Sequence, residues 1–285
     1  MARARRCIGP CSPIAAAEAA RALTAADRET LRSYSGWGGG ISLEKLAPRF
    51  PAGVPQPDTR QLIHDFYTPQ EVCDAIARAV APLLPDLDGR DNTVRALEPS
   101  AGIGHFLGCM PADVAVRSRI TAIEIDRVSG RMLRSLYAPF GVDVRIGGFE
   151  SAALAEGTFD LVLSNVPFGR YGVLDNRNRP YSRASIHNWF VGRALDLLRP
   201  GGLVCFITSS YFLDENDAGV RAHVASEADL ATAFRLPAGT FERLASTSVQ
   251  ADLVVFRKRA PGEAAAAAEW LDLDYVPKAM LRSGC

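Results

Sequence analysis

The stretch FDLVLSNVPFGRY, residues 159–171, starts as a strand and then loses the means to continue as one. An apolar run from Leu161 toward Ser164 meets Asn165-Val166-Pro167-Phe168-Gly169. Proline has no N–H for a central ladder, so the strand must end there. An amide followed by an aromatic ring at the carboxyl end of a buried strand points to something gripped at that end.

The flanking sequence has the same rhythm. Further strands are predicted at 94–99, 119–125, 142–146, 202–208, 230–236 and 252–257. Helical patterns separate most of them, notably 187–199, stopped by Pro200-Gly201-Gly202, and 216–226. Upstream, FYTPQEVCDAIARAV predicts a helix with Thr68 as N-cap, Pro69 in the first turn and Glu71 closing a capping box. Its expected apolar stripe is Val72, Ile76, Ala79, Val80 and Leu83. Alternating strands and helices predict a doubly wound, mainly parallel α/β sheet. Ligands of such sheets sit beyond the carboxyl ends of the strands.

The rest of the chain is read as attachments to that unit. Residues 1–60 read as a helical and loop extension, with Thr24 and Asp27 spaced as an approximate capping box and glycines in GWGGG around Trp37. Residues 61–259 form the expected catalytic domain, and 260–285 a linker and short tail. With zero net charge, nucleic-acid binding must come from a local patch rather than from the whole surface. Of the cysteines only Cys7 and Cys11 are close, and no second pair or nearby histidine completes a metal site, so none is expected. Cys205 reads as a small core residue. The basic start is interrupted by Pro10, Pro13, Glu18 and Arg21, and no apolar stretch is long enough to span a bilayer, so a cytoplasmic protein is expected.

Two other strand ends carry polar chemistry. The first runs into EPSAGIGHF, residues 98–106, where Gly102 and Gly104 let the backbone turn sharply and approach a ligand. The second ends in AIEID, with Glu124 placed to accept from ribose hydroxyls. A third glycine of the dinucleotide fingerprint is missing, and so is the Lys-Ser/Thr pair of a phosphate loop. An amino-acid-bearing nucleoside is the better guest, because Glu98 repels phosphate and attracts an ammonium group.

FYTP, LEPSAGIG, AIEID and SNVPFG, in that order, resemble the N6-adenine DNA methyltransferases of the amino-methylating group. With GWGGG, HNWFVGRALDLLRPGG, FITSSYFLD and AFRLPAGTF, the resemblance is closer to the methylase segment of large plasmid and phage helicase-methylase proteins. It implies a Rossmann-like class I S-adenosylmethionine-dependent methyltransferase fold, with seven strands and helices on both faces. It implies S-adenosylmethionine as cofactor and adenine in DNA as acceptor. Thr68 would face the methionine carboxylate and Tyr67 close over the cofactor. Glu98, Ser100, Ala101, Gly102 and Gly104 would hold the methionine part, Glu124 the ribose, and Ile125 and Phe149 the adenine ring. Asn165 and the Val166 carbonyl would accept hydrogen bonds from the target amine, with Pro167 fixing the turn and Phe168 stacking on a flipped base. Gly148 stands where relatives often carry an acid that contacts the cofactor amine, so that contact is lost or made by Glu150.

After the turn, Arg170, Arg177, Arg179 and Arg183, interleaved with Tyr171 and Tyr181, form a basic loop expected to contact DNA phosphates. His187, near the start of a helix, is assigned capping or packing, and Trp189 and Phe190 are assigned to the core. Three other functions stay open on the sequence: a methyltransferase for RNA, one for a protein glutamine amide, and a silent DNA- or cofactor-binding module of a mobile element that counters restriction-modification. The tail after the last strand is too short for a target-recognition domain. Recognition then falls to the loop at 170–186, or to a separate recognition or helicase partner.

Overall fold

The computed structural model describes residues 23–32, 34, 67–84, 92–241 and 250–271. Trp37 with its glycines, His64, Cys7 and Cys11 lie outside these. Seven strands form one sheet: β1 (Val94–Glu98), β2 (Ser118–Glu124), β3 (Asp143–Ile146), β4 (Phe159–Asn165), β5 (Leu198–Ser209), β6 (Ala228–Arg235) and β7 (Ala251–Lys258). Their order is β3-β2-β1-β4-β5-β7-β6. Strands β1 to β5 pair in parallel, while β7 runs antiparallel between β5 and β6. All seven lie where the alternation predicted strands.

Burial explains why β4 and β5 read as apolar runs rather than alternating ones. Both faces of the sheet are covered. Val162, Val204, Phe206, Val254 and Phe256 point into one core, and their neighbours Leu161, Leu163, Leu203, Cys205, Leu253 and Val255 into the other. Helix α1 (Ala25–Arg32) precedes the sheet, and α2 (Gln70–Val80) contributes Cys73, Ile76 and Val80 to the second core. Helices α3 (His105–Cys109), α4 (Ala112–Val116) and α5 (Arg127–Tyr137) follow β1 and β2, while α6 (Ile186–Leu197), α7 (Tyr211–Asp214) and α8 (Gly219–Glu227) belong to the second half. Every residue of α6 is buried, including Trp189 and Phe190 as expected.

Three details differ from the sequence reading. Helix α2 starts at Gln70, with Pro69 extended at the cap position and no side-chain cap bond there. Its buried stripe is Cys73, Ile76, Ala77 and Val80, an i, i+3, i+4, i+7 pattern. That stripe leaves Ala79 and Leu83 exposed. Strand β5 begins at Leu198, ahead of Pro200. Phe159 pairs with Leu198 and Leu161 with Leu203, so Arg199–Gly202 bulge out of the ladder. Asp160, fully buried, accepts from the Arg95 N–H at 2.7 Å and from the Arg199 guanidinium, tying β1, β4 and the bulge together.

The capping box at the start of α1 forms as its spacing predicts. Asp27 N–H donates to Thr24 Oγ1 at 3.1 Å, and Thr24 N–H donates to Asp27 Oδ2 at 2.9 Å. Leu31 and Tyr34 are buried, and the Tyr34 ring meets Tyr67 edge-on at 5.7 Å. This piece therefore packs through Tyr34 on Tyr67, beside the glycine turn.

Candidate active site

The chain winds outward from β1 to β3 in one direction and from β4 to β5 in the other. The crevice between β1 and β4 is thus the switch point, where an open α/β sheet offers backbone ends to a ligand. Leu97 lies opposite Val162, so Glu98 and Asn165 finish neighbouring strands. The Ser164 hydroxyl points to the Ser100 carbonyl at 3.4 Å and joins the two exits.

On the β1 side the chain closes a tight turn. Ala101 N–H donates to the Ile123 carbonyl at 2.9 Å, which holds the turn against β2. Gly102 and Gly104 have φ of +56° and +88°, a left-handed conformation that a side chain would strain. An added Cβ at Gly102 would come within 2.9 Å of the Tyr67 ring, so the ring lies directly over the turn. Tyr67 also donates its hydroxyl to Ser129 at 3.1 Å. Thr68 is buried, and its carbonyl meets His105 Nδ1 at 2.9 Å. Tyr67 and Thr68 therefore lie against the turn that runs from Glu98 through Ser100, Ala101, Gly102 and Gly104.

Glu98 and Glu124 are both almost fully buried beside this turn. Burial, reinforced by the charge of Glu124, holds Glu98 well above the usual carboxylate range. Its Oε2 has no hydrogen-bond partner among the described residues. A buried polar atom without a partner implies a missing donor. Burial pushes Glu124 up to about 7 despite the N–H of Asp126 and of Gly102. Those bonds are 2.7 Å from Asp126 to Oε1 and 2.6 Å from Gly102 to Oε2. Each carboxylate oxygen has two lone pairs, so Glu124 retains acceptor capacity. An ammonium beside Glu98 and hydroxyls beside the remaining lone pairs of Glu124 fit these carboxylates, as an amino-acid-bearing nucleoside would provide.

Ile125, beyond Glu124, is 49% exposed and offers an open apolar surface. Phe149 is buried, with its ring against Trp189 at 5.3 Å and Phe190 at 5.1 Å. The carboxylate of Glu150 occupies the space that a side chain on Gly148 would take.

Across the crevice, Val166 N–H donates to the Ile207 carbonyl at 3.0 Å and extends the β4–β5 ladder by one step before Pro167 ends it. Val166 is buried while Asn165, Pro167 and Phe168 are half-buried. The structure thus gathers the turn at one strand end, beside the glycine turn. His187 lies behind it, with Nε2 3.2 Å from Ser185 Oγ. Burial lowers His187 to about 4 against a smaller opposing pull from the Gly169 backbone, so the ring is neutral at physiological pH. This packing role matches the sequence reading.

The loop from 170 to 185 is less uniform than its sequence. Tyr181, read as a loop aromatic, is fully buried and donates its hydroxyl to Asp196. Gly192 of α6 leaves room for its ring. Arg177 pairs with Asp175 at 2.9 Å and donates to the Glu150 carbonyl at 2.8 Å. Arg179 pairs with Glu156 at 2.8 Å and lies 3.5 Å from Asp196. Asp175 also accepts from Trp189 Nε1 at 2.7 Å. Arg170 and Arg183 are exposed and have no carboxylate partner among the described residues. Asp196, His223 and Glu227 bring possible metal-ligating atoms together, but Arg179 and Arg193 already flank Asp196, so the cluster is an ion-pair network.

Sequence reasoning missed Asp126, whose carboxylate caps α5 by accepting from Ser129 N–H at 2.8 Å. An aspartate directly before a helical pattern was the available signal. It also missed Tyr34 and Ser129, which support Tyr67 from segments far apart in sequence.

Residues 129–238 match the Eco57I restriction-modification methylase family. The defense against restriction protein B of Escherichia phage P1 is 34% identical over 207 residues, covering 71% of this chain. The chain spans only 9% of that protein's length. A class I S-adenosylmethionine-dependent methyltransferase of Listeria monocytogenes superposes with a TM-score of 0.59 at 16% identity, covering 90% of this chain and 81% of that one. The methyltransferase subunit of a type I restriction-modification system from Streptococcus thermophilus gives 0.57 at 16% identity, covering 70% and 47%. Residues 129–238 thus carry the likeness to the Eco57I restriction-modification methylase family, and the sheet order is that of the class I S-adenosylmethionine-dependent methyltransferase fold.

Proposed function

We propose that this chain transfers a methyl group from S-adenosylmethionine to the exocyclic N6 amine of adenine in DNA, on a base flipped out of the helix. The observation that carries this reading is one juxtaposition. A buried carboxylate with an unpartnered oxygen, Glu98, ends the strand next to the one that ends in Asn165-Val166-Pro167-Phe168. Bound S-adenosylmethionine supplies an electrophilic methyl on a sulfonium.

The residues divide the remaining work. Glu98 holds the ammonium, Thr68 faces the methionine carboxylate, and Glu124 takes the ribose hydroxyls. Ile125 supports the adenine ring and Phe149 shapes the floor beneath it. Glu150, filling the space above Gly148, takes the adenine amine. An aryl amine is a weak nucleophile because its lone pair is delocalised into the ring. Asn165 Oδ1 and the Val166 carbonyl accept from its two N–H bonds, which favours a pyramidal nitrogen and aims its lone pair. Phe168 stacks on the base and Pro167 keeps the turn rigid. Positioning of this kind supplies much of the rate. A base inside a duplex cannot reach the turn, so it must be flipped or already unpaired.

Arg170 and Arg183 are the loop arginines left for DNA, since Arg177 and Arg179 pair within the chain. A separate recognition or helicase component supplies further sequence choice in this reading, consistent with a chain that spans 9% of its phage relative. No described helix is long and apolar enough to cross a membrane, which fits a cytoplasmic enzyme working on DNA.

The test is incubation with methyl-labelled S-adenosylmethionine and unmethylated DNA, single- and double-stranded, followed by digestion to nucleosides and mass spectrometry. N6-methyladenine is expected, and its loss in Asn165→Ala, by about 100-fold or more, ties the reaction to the turn. Label in RNA or in protein glutamine would redirect the acceptor. The name of the phage P1 relative favours a second reading, a module that binds DNA and cofactor without transfer. Retained binding of both with no methylated product would establish it.

A further inference from the structure

Among the loop arginines, Arg170 stands apart. Its guanidinium lies over the ring of Tyr211, 5.0 Å from the centroid. Tyr211 opens α7 immediately after β5, and Arg170 follows the turn that ends β4. Because β4 and β5 are paired, with Asn165 opposite Ile207, the two exits emerge side by side. The stack therefore bridges the segments that leave adjacent strands on the rim of the base pocket. Arg170 is exposed and Tyr211 is 50% exposed. Neighbouring charges behave otherwise: Asp214 of the same short helix is paired with Arg235 at 2.8 Å, and Arg177 and Arg179 are also paired. The stacked cation and ring thus stay in contact with solvent, with no acid among the described residues to neutralise the cation.

We infer that Arg170 and Tyr211 form a stacking platform for the DNA strand beside the target adenine. The ring and guanidinium receive the neighbouring unstacked base, and the cation meets its phosphate. This deepens the proposed DNA reaction and rests on it. A flat aromatic surface binds any base, because every base has a π-face, and the guanidinium adds a salt-sensitive phosphate contact. The platform accordingly favours single-stranded or distorted DNA over an intact duplex, without a strong sequence preference. Tyr211 and Arg170 are binding residues in this account; neither touches the reacting amine.

The experiment uses the full chain with an adenine-containing oligonucleotide, single-stranded and duplex. It measures DNA affinity by fluorescence anisotropy alongside KM and kcat for methyl transfer. Arg170→Ala and Tyr211→Ala are each expected to weaken single-strand binding about tenfold or more, while kcat at saturating DNA and cofactor affinity stay within about twofold. Tyr211→Phe, which keeps the ring, should restore most of the affinity. Arg170→Ala should also lower the salt slope of log K by about one. Unchanged DNA affinity in both alanine variants overturns the proposal, whether kcat changes or not. A lowered kcat at unchanged KM would make the stack a brace for the turn. The anisotropy arm needs no turnover: if wild-type protein makes no methylated product, loss of binding in the variants still supports the platform, while the methyl-transfer reading fails separately.

Discussion

The two sides of the crevice handle charge in opposite ways. On the β1–β2 side, Glu98 and Glu124 are buried with no cationic side chain among the described residues to pair them, and both are held above the ordinary carboxylate range. On the β4–β5 side, Arg177, Arg179, Arg193 and Arg235 all reach carboxylates. The first arrangement leaves buried carboxylates without cations at a cost to the free protein, which the proposed cofactor would relieve by donating to them. The second neutralises charge internally and builds a firm wall for the turn, leaving only a few exposed groups for a partner. A charged residue in a sequence motif is thus no measure of its availability. What its neighbours do with the charge decides.

The largest expected effect that separates the two sides is at Glu98. Glu98→Gln removes the charge but not the volume, and should weaken S-adenosylmethionine binding by about 10- to 100-fold, the worth of a charge-assisted hydrogen bond. Without cofactor its melting temperature should be unchanged or higher, because a buried acid has been replaced by a neutral amide. Calorimetric titration and thermal unfolding read both. A loss of stability with unchanged affinity would make Glu98 a structural residue and erase the contrast.

A pH series sharpens the same contrast. Glu124 has its folded pKa raised, so its contribution to stability is fully present below its ordinary value of 4.5 and is lost as pH rises through about 7. Ribose hydroxyls donating to it favour the ionised form, so binding expels a proton. Cofactor affinity should therefore rise with pH between about 6 and 8, by at most about tenfold per unit for one proton, and then level off. Titrations in buffers of different ionisation enthalpy count that proton. His187 works in the opposite sense: its folded value is lowered, so its contribution is present above 6.5 and lost as pH falls through about 4.

The smallest effects test the arginine wall. Arg177→Ala breaks both the Asp175 pair and the bond to the Glu150 carbonyl, and should cost about 1–2 kcal/mol of stability. Arg183→Ala, with no carboxylate partner among the described residues, should stay within about 0.5 kcal/mol. Chemical denaturation of the two variants reads the difference directly. Equal effects would mean that the ion pairs do not stiffen the loop.

The sequence was most legible where backbone chemistry is local. Proline at 167, the apolar runs and the intervening helical periods located every strand, because a strand buried on both faces has few residue types open to it. The glycine turn, Glu124 and the Asn165 turn could be found because each sits directly at a strand end. The side-chain partnerships were hidden. Arg179 finds Glu156 across 23 positions, and Tyr181 finds Asp196 across 15, distances at which no helical or strand period relates two residues. Tyr211 was overlooked for the same reason: it meets Arg170 only because β4 and β5 pair. The misplaced stripe of α2 has a local cause, since Leu83 lies in the turn after the helix and pulled the expected face round by one residue.

The most direct test of the divided site is to measure cofactor affinity and methyl transfer together in Asn165→Ala and Glu98→Gln. Asn165→Ala should bind S-adenosylmethionine within a fewfold of wild type, yet make at least about 100-fold less N6-methyladenine at saturating cofactor. Glu98→Gln should bind the cofactor weakly and recover most of its transfer rate once saturated. If both variants lose both properties together, or if Asn165→Ala still methylates adenine, the division between a cofactor side and a chemical side is wrong.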